Sequence, residues 1–164
     1  GNSLSKNIDS YQEAFDLLFK SVVYTTSLVV PQMQKNKWGR IINVTSVSVK
    51  EPLNYLVLSN SIRSAVVAWA KSLSVDIGKD GITINSILTG YFDTERIKEL
   101  NKEKSKSLNI SESEVLEKMK SLVPLNRLGK PEEYGYLVSF LSSEKASYIN
   151  GASIPIDGGL LKSY

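Results

Sequence analysis

Apolar and polar positions fall in blocks along this chain, and the blocks predict its elements. From Phe15 to Val30 most faces are apolar. That predicts a helix from about Ser10 to Met33, with Asp9 or Ser10 as N-cap and Glu13 placed for a capping box. Trp38-Gly39-Arg40 reads as a turn. The β-branched run Ile41-Ile42-Asn43-Val44-Thr45 predicts a buried strand. A loop through Pro52 follows, then an apolar stretch predicting a helix from about Asn54 to Ile77 whose interior carries only Arg63 and Lys71 as cations. Ile82 to Ile87 predicts a second strand.

The remainder is more polar. Asp93 to Ser121 is dense in Lys and Glu and predicts two helical pieces, the second opened by a capping box, Ser111-Glu112-Ser113-Glu114. Pro131 sits where a helix running to about Ser142 takes its first turn. Ala152 to Ile156 predicts a third strand, closed by Asp157-Gly158-Gly159. Helices alternating with continuous β-branched runs mean a parallel sheet with helical crossovers. The expected fold class is therefore α/β: three parallel strands near 40–46, 82–88 and 152–156, with helices on both faces. Ile41-Ile42 reads as buried on both faces, so something should lie beside that first strand. We read residues 1–164 as the C-terminal portion of a single doubly wound, Rossmann-type domain, the second half of a longer one.

Composition narrows the chemistry. The chain has 164 residues, a net charge of +3, no Cys and no His. Thiolate chemistry, disulfides and Ser-His-Asp catalysis are excluded, no metal site is expected, and any acid or base must be Asp, Glu, Lys, Tyr or an assisted hydroxyl. The charge excess is too small to point to nucleic acid. The longest uncharged run near the start, between Lys20 and Lys35, is 14 residues, short of the roughly 20 that a membrane span needs. No membrane partner is expected, and with no signal pattern the cytoplasm is the default location.

Several segments together resemble one family. Gly39 to Ser46 resembles the strand carrying the catalytic serine of short-chain dehydrogenases/reductases. Gly81 to Ile87 looks like that family's next strand. Asn126-Arg127-Leu128-Gly129-Lys130-Pro131-Glu132-Glu133 is similar to its RxGxPEE segment. Tyr148-Ile149-Asn150-Gly151 and Ile156-Asp157-Gly158-Gly159 resemble its YITG and VDGG ending. The matches are ordered, correctly spaced, and closest in flavour to 3-oxoacyl-carrier-protein reductases. The resemblance implies an NAD(P)-dependent oxidoreductase acting on a small carbonyl or alcohol substrate, with NAD or NADP as cofactor and a homodimeric or homotetrameric assembly. It also implies a helical lid near 92–122. No G-x-G-x-x-G stands in the chain, so the cofactor is implied by the resemblance alone.

The family's site has four parts: a serine, a tyrosine, a lysine four residues later, and an asparagine on the preceding helix. Carried over position by position, the serine is Ser46, the tyrosine position holds Ser59, the lysine position holds Arg63 and the asparagine position holds Leu18. An aliphatic hydroxyl is a far weaker acid than a phenol of pKa about 10, and one guanidinium moves a pKa by only about 1–3 units. The Leu18 side chain offers nothing to a relay water. Tyr55, one turn before Ser59, is the substitute acid this pattern suggests. Gly90 and Thr94 fall on the cofactor-contact turn, where Thr89 replaces the usual proline. Ser46, Ser59, Arg63 and Tyr55 are expected to converge at the C-terminal ends of the strands. The alternatives are a non-catalytic binding or assembly descendant, or non-redox chemistry like that of halohydrin dehalogenases.

Overall fold

The computed structural model describes residues 7–53 and 56–163. A single run of helix opens it, Ile8–Asn36. It consists of α1 (Ile8–Phe15), a π-helical turn (Asp16–Lys20) and α2 (Ser21–Asn36). The Asn7 side chain caps its N-terminus by accepting from Asp9 N, so neither Asp9 nor Ser10 is the cap. The helix begins at Ile8, two residues before the expected Ser10, and the cap lies at Asn7 accordingly. Lys37 ends the helix in the left-handed conformation, with its N–H on the Met33 and Gln34 carbonyls. Gly39 and Arg40, expected in a turn, already belong to strand β1 (Gly39–Ser46).

The long helix α3 (Val57–Ile77) carries the chain back to β2 (Ile82–Thr89). Helices α4 (Glu95–Leu108), α5 (Glu112–Ser121) and α6 (Pro131–Leu141) follow, then β3 (Ser153–Ile156). The strands are parallel in the order β1-β2-β3, as the βαβ alternation predicts. The Ser111–Glu114 capping box is present, and Pro131 starts α6.

Packing follows strand periodicity. Ile41, Ile82 and Ile84 meet Met33, Ala70 and Ile77 of α2 and α3 on one face. Ile42, Ile87 and Ile154 meet Leu137, Val138 and Leu141 of α6 on the other. Strand β2, central and buried from Ile82 to Leu88, is the spine. Asn85 and Asn150 stitch the last strand to it. The Asn85 amide donates to the Ile149 carbonyl and its carbonyl accepts from Ala152 N, while Asn150 Oδ1 accepts from Ile84 N and its amide donates to the Ser74 carbonyl.

Nothing among the described residues pairs with the outer edge of strand β1, as its apolar run suggests, but β1 is not buried on both faces, since Val44 is 59% exposed. By length and composition alone Ile8–Asn36 is also long and apolar enough to cross a membrane, with Asp16 and Lys20 paired on it at 2.8 Å.

Candidate active site at the C-terminal ends of the strands

Ser46 ends β1 and turns the chain into a 3-10 turn, Val47–Val49. Its Oγ accepts from Ser48 N at 3.1 Å. An extended backbone at Ser46 aims the hydroxyl forward over the next amides, as at any serine cap. Ser48 is fully buried, and its Oγ has no hydrogen-bond partner among the described residues.

Ser59 and Arg63 lie one helical turn apart on α3, so their side chains share a face. Arg63 Nε donates to Ser59 Oγ at 3.2 Å, and a second guanidinium nitrogen donates to the Val44 carbonyl at 3.0 Å. The cation is thus spanned between the helix and β1, two residues before Ser46. With its oxygen engaged as acceptor, Ser59 keeps its own proton to donate.

Arg63 closes a cavity of about 250 Å³ whose other walls include Leu17 and Leu18 of the π turn and Asn43 of β1. Asn43 is 7% exposed, and its Nδ2 lacks a partner among the described residues. The loop that follows Ser46 borders a separate, mainly apolar cavity of about 460 Å³, walled by Val47, Leu53, Leu122 and Leu160, with Glu51 and Lys162 at its rim. Tyr55 lies outside the described residues.

The segment after β2 explains two further positions. A side chain on Gly90 would put its Cβ 2.6 Å from Asp157 Cα, so close backbone approach demands glycine there. Thr94 is the N-cap residue of α4, yet its side chain makes no capping bond. That hydroxyl and the Arg63 guanidinium are the groups here whose chemistry suits the amide and ribose of a nicotinamide nucleotide. Phosphate-binding glycines are not among them.

Sequence reasoning missed the neighbour of Thr89. Thr89 is the register partner of Ser46 on β1 and of Ile156 on β3, which puts it at the centre of the sheet's C-terminal edge. Its Oγ1 lies 3.1 Å from Tyr134 OH on α6. The Tyr134 ring meets Phe92 edge-on at 5.3 Å. Burial raises the Tyr134 pKa, while the Thr89 hydrogen bond and the Arg63 charge pull the other way. The one signal available in the sequence was the absent proline at 89. Below this edge, Arg127 grips Glu133 with two contacts of 2.7 Å, and Lys130 N donates to the same carboxylate at 2.7 Å. The guanidinium, with that amide, holds Glu133 down to about 2. This pairing is what the RxGxPEE-like segment does here.

Comparison with known proteins agrees with this geometry. The family model for enoyl-(acyl carrier protein) reductase matches residues 1–161. The NADPH-dependent reductase BacG of Bacillus subtilis is 34% identical over 131 residues, covering 80% of this chain and 51% of that protein. The 3-oxoacyl-[acyl-carrier-protein] reductase MabA of Mycobacterium bovis is 34% identical over 128 residues, covering 78% of this chain and 47% of that one. The crystal structure of L-sorbose reductase from Gluconobacter frateurii, complexed with NADPH and L-sorbose, superposes with a TM-score of 0.94 at 28% identity, covering 100% of this chain and 63% of its own. The chain spans about half the length of the first curated relatives it matches.

Proposed function

Because the chain belongs to the short-chain dehydrogenase/reductase family, we propose that the protein is an NAD(P)-dependent oxidoreductase interconverting a small carbonyl compound and its alcohol, with a guanidinium–hydroxyl pair in place of the family's tyrosine and lysine. The carrying observation is the bond from Arg63 Nε to Ser59 Oγ. The nicotinamide, when bound, supplies or accepts the hydride. The chain's own residues hold the reacting oxygen. In that reading Ser59 and Ser46 donate their protons to it as hydrogen bonds, and the fixed positive charge of Arg63 opposes the negative charge that develops there. Arg63 itself cannot give up a proton near neutral pH. Thr94 and Arg63 would meet the nicotinamide nucleoside. The charged pair α4–α5 serves as the lid.

The reading extends to assembly as a homodimer or homotetramer. Leu17, Tyr24 and Leu28, spaced by seven and four on one face of the long helix, are 72%, 66% and 62% exposed. Exposed apolar rows of this kind suit a symmetric contact with a second copy. The test of function is nicotinamide fluorescence on titrating the full-length protein with NADH and NADPH, followed by a carbonyl panel. Binding with turnover is expected. Binding of neither nucleotide would leave a non-catalytic or non-redox descendant as the reading.

A further inference from the structure

Two hydroxyls meet at the centre of the sheet's C-terminal edge, and the reaction as read so far uses neither. Thr89 stands in the register position next to Ser46. Its Oγ1 is 3.1 Å from the Tyr134 hydroxyl, whose ring is held edge-on by Phe92. Both residues are only partly buried. We infer that Thr89 and Tyr134 form a hydroxyl relay that supplies the proton at the Ser46–Arg63 site. The inference rests on the oxidoreductase reading and deepens it.

The chemistry motivates the pair. Ser59 is too weak an acid to lose a proton near neutral pH, and Arg63 does not lose one. Reduction of a carbonyl nonetheless ends with a proton on the former carbonyl oxygen. In the relay, Tyr134 donates to Thr89 Oγ1, so the Thr89 proton points onward. As the carbonyl π pair moves onto oxygen, that oxygen forms an O–H bond with the Thr89 proton. Thr89 Oγ1 takes the Tyr134 proton in the same motion, and the phenolate left behind is reprotonated from solvent. The Tyr134 phenol stands against this edge and is a stronger acid than the serine and threonine hydroxyls around it. Phe92 keeps the ring from swinging. Burial holds the Tyr134 pKa up, and the Thr89 hydrogen bond and the Arg63 charge work against that rise. Facing Tyr134 from the neighbouring elements are thus Thr89 of β2, Phe92 of the following loop and the Arg63 charge from α3.

Tyr134→Phe keeps the ring and its packing, and Thr89→Val keeps the shape of the side chain. In the full-length protein, each is expected to lower kcat by about 10²-fold or more, with KM for substrate little changed and melting temperature unaltered. The double variant should lose no more than either single one, since a relay fails once. Thr89→Ser should recover most of the rate. A second readout needs no turnover. Tyrosinate absorbance, with Tyr134→Phe subtracted to isolate this residue, should titrate to higher pH in Thr89→Val than in the parent, because a bond favouring the phenolate is gone. Full activity in Tyr134→Phe, or an unchanged titration in Thr89→Val, would overturn the relay while leaving the oxidoreductase reading standing. A parent protein that reduces no carbonyl compound would overturn both.

Discussion

Ser59 and Arg63 are bonded to one another across one turn of α3. The helix presents these two polar groups toward the end of β1. Their bonding is that of a fork: one nitrogen on a hydroxyl, another on the Val44 carbonyl. A lysine cannot span both with a fixed plane. Arg63→Lys is therefore expected to recover little of what Arg63→Ala loses, which by analogy with other preorganised donors is about 10²-fold or more in kcat. Steady-state kinetics on the two variants decides it. Glu133 makes a different residue-scale prediction. Its folded pKa, about 2, lies below the ordinary carboxylate value of 4.5. The stabilisation from its ionised form is therefore complete above pH 4.5 and fades as pH falls toward 2. Urea midpoints measured from pH 5 to pH 2 should fall less steeply in Glu133→Gln than in the parent. Equal slopes would mean that the Arg127–Glu133 pair is broken in solution.

Elements were the most legible scale. Runs rich in β-branched residues located the strands, as in β2, which is buried from Ile82 to Leu88 although Thr83, Asn85 and Ser86 interrupt its apolar residues. The capping box at Ser111 was readable because its two partners stand at a fixed spacing. What escaped was set by tertiary contact. The π turn at Asp16–Lys20 has no periodic signature, yet it brings Leu17 and Leu18 against the cavity that Arg63 closes. The pairing of Thr89 with Tyr134 joins residues 45 positions apart, and Asn43 became notable only when its amide was found buried without a partner. Of the site residues read from the sequence, Ser59 and Arg63 are bonded to one another, Ser46 lies on β1 two residues beyond the Val44 carbonyl that Arg63 holds, and Tyr55 falls outside the described residues. Gly90 offers an element-scale test. Gly90→Ala drives a methyl into the Asp157 backbone and should cost about 1–3 kcal/mol, read as a lower denaturation midpoint. An unchanged midpoint would show that β2 and the Asp157 turn are less closely apposed.

At the scale of the molecule, the surface is less finished than the core. Strand β1 has one unpaired edge among the described residues, Val44 is exposed, and the long helix shows an apolar row. The sequence suggested the open edge through its apolar run. The helical row carries the assembly prediction. Tyr24→Lys with Leu28→Lys should convert an oligomer to a monomer in light scattering at micromolar concentration, with the melting temperature of the remaining fold little lower. A parent protein already monomeric under those conditions would remove the proposed contact.

Far along the chain, the Glu51 carboxylate accepts from Lys162 N at 2.7 Å and from Ser163 N at 2.8 Å, and those two amides hold its pKa below the ordinary range. The donors are main-chain groups. Almost any amino acid at 162 or 163 would offer the same N–H, so ordinary side-chain exchange there cannot undo the tether. Proline, which has no N–H, can undo it, and so can a change in the number of residues between β3 and the tether. The spelling of this tail is therefore free to drift, whereas its length and its tolerance of proline are not.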